Sequence, residues 1–559
     1  MSLLFAFFLV CFLLLFSCLA PFSTSGSLNS QTISSNGEVE YASLSLTIES
    51  FPNPSRIDQE VIASGAVTDS LGNGRSGVLV TIQYSGDKQL WENSSTTLTD
   101  GAGTFQANLT FSSSGIYYLR GVYDKLASQI CRQVIASSFV GNDGTEDFAD
   151  IQAAIDALPP QGGVVYVKSG IYDLDGKTIV VRSNLTLIGD GIDKTIIRLY
   201  PTQHSEQKYI QDGITSVSDI DNLTIENLTL TQNLMPVNNH GCIFLRGGQN
   251  NNITIRDFKA IGGSGVGIGV PNFLHLSIQG CVIEQVWTGI VCNNGSDALI
   301  LENTVKNTVG DAILFSIHAT DVAIENNNLE NIGDTAIDVT SLTQYAGNLP
   351  HERFLVRNNT VINGTLRISN SGNVQILGNR IQNGEISVDA GQATPFNISI
   401  VGNYVVSGHK AGIGFYGALD SSAINNTIVM ESPPENMTQS GMIVAIWGVG
   451  LIENNTLLNA ANFGVDFGGW GLGGSSNITI RKNTIQGFHD IGIYDDAKNQ
   501  GSVHVEQNAI LSDEQAARWG ICTEFPNNQW LIDSNALNVA GLIGNQAINA
   551  PSSTLIANH

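Results

Sequence analysis

The 559-residue sequence predicts an all-β protein in which a long solenoid of stacked coils follows a small β-sandwich. Three observations point there. The chain exceeds the roughly 250–300 residues that one hydrophobic core usually supports, so it needs several domains or a repeating architecture. It carries 59 glycines while only 13% of its residues are charged, a composition that suits tightly turning β-structure better than helical bundles. A six-residue template, apolar-x-x-Asn-x-apolar, recurs through the second half at gaps of 20 to 32 residues, the spacing of one solenoid coil per repeat.

Residues 1–26 begin MSLLFAFFLVCFLLLFSCLA and read as a signal peptide or signal anchor, although no basic residue precedes the apolar run. No other stretch is apolar enough to engage a membrane. This segment places the rest of the chain in a secreted or cell-surface setting. Fifty acidic against 25 basic residues give a net charge of -25, which excludes partners held by charge such as nucleic acid or an anionic membrane. The cysteines at 131, 242, 281, 292 and 522 are odd in number, lack metal-ligand spacing, and read as buried thiols with room for one disulfide.

Residues 43–138 contain short alternating runs such as GAVTDSLGNGRSGVLVTIQY and TTLTDGAGTFQANLTFSSSGIYYLRGVY, divided by Gly, Asp, Asn and Ser turns. They resemble immunoglobulin-like domains of prokaryotic surface proteins. That resemblance implies a spacing or attachment role, and nothing in the segment is arranged for catalysis.

Residues 139–559 form the second domain. Phe148, Ile151, Ala154, Ile155 and Leu158 give one amphipathic helix, and apolar strands follow. The phrases GGVVYVKSGIYDL and NLTLIGDG resemble the opening of pectate-lyase-like proteins. The resemblance implies a right-handed parallel β-helix whose first coil is capped by that helix. It says little of activity, because the fold serves lyases, hydrolases, epimerases and inactive binders.

The template supplies the frame. Its asparagines are 303, 327, 359, 379, 403, 426, 455, 483, 508 and 535, and two earlier turns keep the pattern with Phe258 and Cys281 in place of Asn. Asn tolerates the left-handed conformation of a sharp turn, and stacked amides hydrogen-bond from coil to coil, so each is expected at a corner in a structural ladder. About twelve to fourteen coils are expected.

Ten and twelve residues after the Asn come Ile313 and Phe315, Ile337 and Val339, Ile413 and Phe415, and Val465 and Phe467, which point inward. Strand side chains alternate, so the outward columns hold Leu314 and Ser316, Asp338 and Thr340, Gly414 and Tyr416, Asp466 and Gly468, Tyr494 and Asp496. Trp447 aligns with Tyr416 if a loop is excluded, and Trp470 flanks the face. Aromatic rings stack on sugar C–H faces while carboxylates accept hydroxyl protons, so this surface suits a polysaccharide or cell-surface glycan, with Tyr416, Trp447, Trp470 and Tyr494 as the substrate-binding aromatics.

Glycoside hydrolysis needs two carboxyl groups about 5 to 9.5 Å apart. At about 4.8 Å per coil, Asp338 and Asp466 lie roughly 24 Å apart and cannot cooperate. Asp466 and Asp496, on neighbouring coils, are the first candidate catalytic pair, and Asp311, Asp334 and Asp338 are the second group. His318, His489, Asp490 and Asp495 are near in frame. Calcium is the one cofactor these carboxylates suggest, and no residue pattern requires a metal. The resemblance implies that a lyase here would use Lys or Arg, beside a calcium held by carboxylates, as its base. The outward columns hold none, although Arg367 and Lys410 are near. The resemblance also lacks the polygalacturonase-type constellation: YDD at 494–496 has only the Asp pair, and GFHD at 487–490 has a His without flanking glycines.

Three readings remain: a polysaccharide hydrolase, lyase or epimerase; a non-catalytic glycan binder; and a surface scaffold or adhesion protein. Fourteen Asn-x-Ser/Thr sequons from Asn93 to Asn477 fit an exported glycoprotein.

Overall fold

The computed structural model describes residues 28–33, 39–199, 212–232, 240–263, 265–340, 349–391, 393–408, 411–431, 441–445, 448–467, 477–495, 502–525 and 530–559. The chain divides into two compact units, Met1–Ser138 and Phe139–His559. Among the described residues no helix is long and apolar enough to cross a membrane, and the expected signal or anchor segment lies outside them.

The first unit holds two sheets. One runs Leu28–Ile33, Val39–Leu46, Val61–Thr68, Glu49–Phe51, with Thr104–Leu109 also on Val61–Thr68; the other runs Ser55–Arg56, Cys131–Ala136, Gly115–Tyr123, Leu79–Ser85, Glu92–Leu98. Alternation aims every second side chain to one side. Val61, Ala63, Val67, Phe105 and Leu109 of the first sheet therefore share one core with Val80, Ile82, Leu119 and Ile135 of the second.

The second unit starts with a helix, Ile151–Asp156, capped by the Asp150 side chain, which accepts from the Ala153 N–H at 2.8 Å. The helix is shorter than the apolar pattern, yet the whole pattern is used: Ile151, Ala154, Ile155 and Leu158 are buried in the core and Phe148 packs against it.

Three stacks of parallel strands follow. In one coil, strand A ends Thr288–Leu301, strand B is Thr304–Thr308, and strand C begins Ile313–Glu325. The next coil repeats them in register, pairing Ile300 with Ile324, Val305 with Leu329, and Ile313 with Ile337. The inward residues form one core from Val140 to Ala550. Fifteen successive pairings link sixteen strands in stack A, from Gly163–Val167 to Thr554–Ile556. That exceeds the twelve to fourteen coils expected, because the first coils lack the asparagine that marks the repeat.

The asparagines do stack at one corner, between stacks A and B, and are at most 1% exposed. Asn403 shows the pattern. Its Nδ2 donates to Asn426 Oδ1 (3.0 Å) and the Ile376 carbonyl (2.9 Å), while its Oδ1 accepts from the backbone N–H and Nδ2 of Asn379 (2.8 and 3.0 Å). Every polar atom of the buried amide is thereby satisfied. Cys281 heads the ladder, its N–H donating to Asn303 Oδ1, and Asn558 adds a final rung beyond those read from sequence.

One expectation is corrected. The left-handed residue is the one before each ladder asparagine: Asn326, Asn358, Asn425 and Asn454 have φ between 54° and 57°, and Glu302, Lys482 and Gln507 stand there in other coils. In Asn454-Asn455 the first residue makes the turn and the second builds the ladder. The five cysteines at 131, 242, 281, 292 and 522 are all free thiols.

Candidate functional site

The outward positions of stack C form a register-matched row: Leu314, Asp338, Arg367, Ser387, Gly414, Val444, Asp466, Tyr494, Cys522. Inward partners such as Ile313, Ile337, Leu366, Ile386 and Ile413 are fully buried, which fixes the outward direction of their neighbours.

The second candidate group is brought together. Asp338 is 3% exposed and is gripped by Arg367 of the next coil through two contacts, Nε to Oδ1 at 3.2 Å and Nη2 to Oδ2 at 2.5 Å. Thr340 also donates to Asp338. Asp311, one coil earlier, accepts from the Thr335 N–H at 3.1 Å. Burial, with the Asp338 and Asp334 carboxylates beside it, pushes the Asp311 carboxyl up to about 6. The same three aspartates raise the Arg367 guanidinium further, chiefly through its Asp338 hydrogen bond. Arg367 therefore lies in the outward row, where the sequence pattern places no cation.

Trp287 joins this group, and sequence reasoning missed it. Its indole Nε1 lies 3.2 Å from where a Cβ on Gly310 would stand, next to Asp311. It belongs to the turn entering stack C, three residues before the first inward position, where alternation gives no signal.

The first candidate pair, Asp466 and Asp496, falls only half within the described residues. Asp466 registers with Tyr494, as the outward columns place it, and Asp496 lies outside the described residues, as do Trp447 and Trp470. The described pairing of this strand ends at Phe415 with Ala445, before Trp447. Tyr494 is corrected as a stacking platform: it is 8% exposed and its own ring stacks on Phe463 at 4.3 Å.

Tyr416 is half-buried and lies flat along its strand, a pose that requires Gly414, because a Cβ there would meet the ring at 2.4 Å. Burial, then the carboxylates of Glu385, Asp389 and Asp466, raise its phenol well above the ordinary range, so it stays a hydrogen-bond donor. Glu385 and Asp389 escaped the sequence reading because the coils after Asn359 and Asn379 are three residues shorter, moving the inward pair to Leu366 and Ile368 and to Ile386 and Val388. A cleft of about 190 Å³ lined by Asp334, Asn363, Thr365, Asn383 and Ser407 adjoins the aspartate group. Among the described residues no three His, Cys, Asp or Glu side chains converge to hold a metal ion.

Two family models match parts of the chain. The model described as "Right handed beta helix region" matches residues 212–363. The second unit, Phe139–His559, is a right-handed parallel β-helix. The model described as "Pectinesterase" matches residues 137–257, ending before Asp311. Probable pectinesterase 30 of Arabidopsis thaliana is 45% identical over 69 residues, 11% of this chain and 13% of that protein. Pectinesterase 3 of Solanum lycopersicum is 33% identical over 84 residues, 14% of this chain and 15% of that protein. The chain thus spans only 13 to 15% of the length of these curated relatives. Among solved structures, the A-module of a mannuronan C-5 epimerase from Azotobacter vinelandii is 18% identical with a TM-score of 0.37, covering 65% of this chain and 94% of that one. A family 28 exopolygalacturonase from Yersinia enterocolitica is 10% identical with a TM-score of 0.26, covering 88% and 98%.

Proposed function

We propose that this is an exported protein that acts on an extracellular polysaccharide laid along the outer face of stack C, with Asp311 and Asp338 as its acid–base pair. One observation carries the reading: two carboxyl groups on adjacent coils stand in opposed environments, Asp311 raised to about 6 and Asp338 clasped by Arg367. Groups so divided can give and take a proton at one centre. Asp311 serves as proton donor, Asp338 as the second carboxyl group, and Arg367 as the positioning residue that holds it. Trp287 and Tyr416 offer the ring faces and the phenol donor that would orient the sugars. The partial pectinesterase match supports a carbohydrate ligand. The immunoglobulin-like resemblance of the first unit supports an attachment role at the cell surface.

The test is incubation of the purified protein with a polysaccharide panel, with calcium present and absent. Reducing ends, ultraviolet absorbance of unsaturated uronates, released methanol and C-5 stereochemistry are then measured. Asp311→Asn and Asp338→Asn should each abolish the product that the parent forms. Retention without product would leave a non-catalytic binder, and neither would leave the surface scaffold or adhesion reading.

A further inference from the structure

Side chains alternate along the strands of stack A, so each coil presents two of them outward. One outward column holds Glu325, Arg357, Leu377, Val401, Ile424, Glu453 and Arg481 on seven successive coils, each paired in register with the next. Their strand neighbours Val356, Ile376, Ile400 and Ile452 are fully buried, which fixes the outward direction of the column. The middle of this face is apolar. Leu377, Val401 and Ile424, with Leu355 and Leu451 of the adjacent column, are aliphatic side chains left only half-buried. An ion pair closes each end: Arg357 Nη2 donates to Glu325 Oε2 at 2.7 Å, and Arg481 Nη2 donates to Glu453 Oε2 at 3.0 Å. A contiguous apolar patch rimmed by polar groups marks a docking surface.

The order of the residues points to the occupant. A two-fold axis lying in the face, along the strand Phe396–Val401, keeps the strand direction and reverses the order of the coils. Each column then faces its own reverse in a second copy. Val401 meets Val401, Leu377 meets Ile424, Arg357 meets Glu453, and Glu325 meets Arg481; in the adjacent column Leu355 meets Leu451. Other registers fail. Moving the axis half a coil sets Glu325 against Glu453 in one direction and Arg357 against Arg481 in the other. Moving it a whole coil sets Glu453 or Arg357 against Val401. Like charges opposed, or a charge pressed on an aliphatic side chain, disfavour both shifts. Six steps of about 4.8 Å and strands of about five residues at about 3.3 Å give a face of roughly 500 Å² on each copy, roughly 1,000 Å² in all, where specific interfaces begin.

We propose that stack A is the face on which two copies of this chain dock antiparallel, apolar centre on apolar centre, with each terminal ion pair set against the other in reverse charge order. This is independent of the polysaccharide reading, because stack C is a different face of the same coils.

Sedimentation velocity of the full chain between about 1 and 100 μM brackets the micromolar dissociation constant expected of an interface this small. The parent should pass from monomer to dimer across that range. In a symmetric dimer Arg357→Glu sets two Glu–Glu453 contacts, and Glu453→Arg sets two Arg–Arg357 contacts, so each variant alone should raise the dissociation constant about tenfold or more. An equimolar mixture of the two should dimerise again, because every facing charge is then opposite. Val401→Asp, which touches neither ion pair, sets two carboxylates together on the axis and should give monomer alone. Circular dichroism and thermal midpoints confirm that each variant is folded. The sequons at Asn358, Asn397, Asn425 and Asn454 stand at the corners bordering this face, so the dimer also requires these four to carry no glycan, which peptide mass spectrometry reads. A parent that stays monomeric at the highest concentration, variants that dimerise as the parent does, single variants that mixing fails to restore, or glycans on those corners would each overturn the proposal.

Discussion

His351 is a histidine with no access to solvent, 0% exposed beside Phe354 at 5.4 Å between ring centroids. Its Nδ1 must accept from the Ala319 N–H, 3.0 Å away, so the neutral ring carries its proton on Nε2. Burial is the main cause that lowers it to about 4. The unfolded chain, titrating near 6.5, therefore binds the proton first as pH falls. Stability from this group is complete above about pH 6.5 and is lost progressively toward pH 4, by about 2 kcal/mol at pH 5. Urea midpoints at pH 7.5 and pH 5 should show that loss in the parent and much less of it in His351→Gln, which keeps an acceptor for Ala319. Equal acid sensitivity would refute the assignment.

Asp311 has the opposite sign. Its carboxyl is raised, so folding favours the protonated form, and ionisation above about pH 6 works against the fold. Asp311→Asn should raise the thermal midpoint at pH 7, make little difference below about pH 4, and abolish turnover, a stability gain at the expense of activity. Of these residues, Asp311 and Asp338 were legible as a possible acidic group because they fall at fixed offsets from the asparagine frame. Arg367 was legible only as a cation near the face, since its coil is shortened, and Trp287 was not legible, because it sits in a turn where no period operates.

At the level of the element, the amide ladder is the feature most legible in the sequence, because a buried polar amide survives in an apolar run only where neighbouring coils satisfy it. Its local geometry was less legible: two adjacent asparagines look alike in sequence, and only the backbone shows that the first takes the positive φ while the second turns inward. Replacing Asn403 with Leu removes the acceptor for two donors of Asn379 and the donor to Asn426. The cost should be about 3 kcal/mol or more. Gln375→Leu, at an exposed position of stack A, should stay within about 0.5 kcal/mol. Chemical denaturation of the two variants distinguishes them, and similar losses would mean the ladder is not structural.

For the whole molecule, the repeat period was enough to predict a solenoid, while the number of coils was not, because the early turns carry Phe258 and Cys281 where the marker belongs. A stack in which each coil rests on its neighbours gains one straight face per strand row, and stack C uses its face to align chemistry over many coils. The second unit has a core complete within Phe139–His559, so a protein of those residues alone should fold cooperatively and keep whatever polysaccharide activity the full chain has. Loss of folding on removing the first unit would contradict that.

Hydrogen exchange read by mass spectrometry, with and without the polysaccharide panel, locates the ligand on the molecule. A polysaccharide laid along stack C should slow exchange in the peptides around 311–316, 335–340 and 365–369 and leave stacks A and B unchanged. Protection confined to stacks A or B, or none with any polysaccharide, would contradict it.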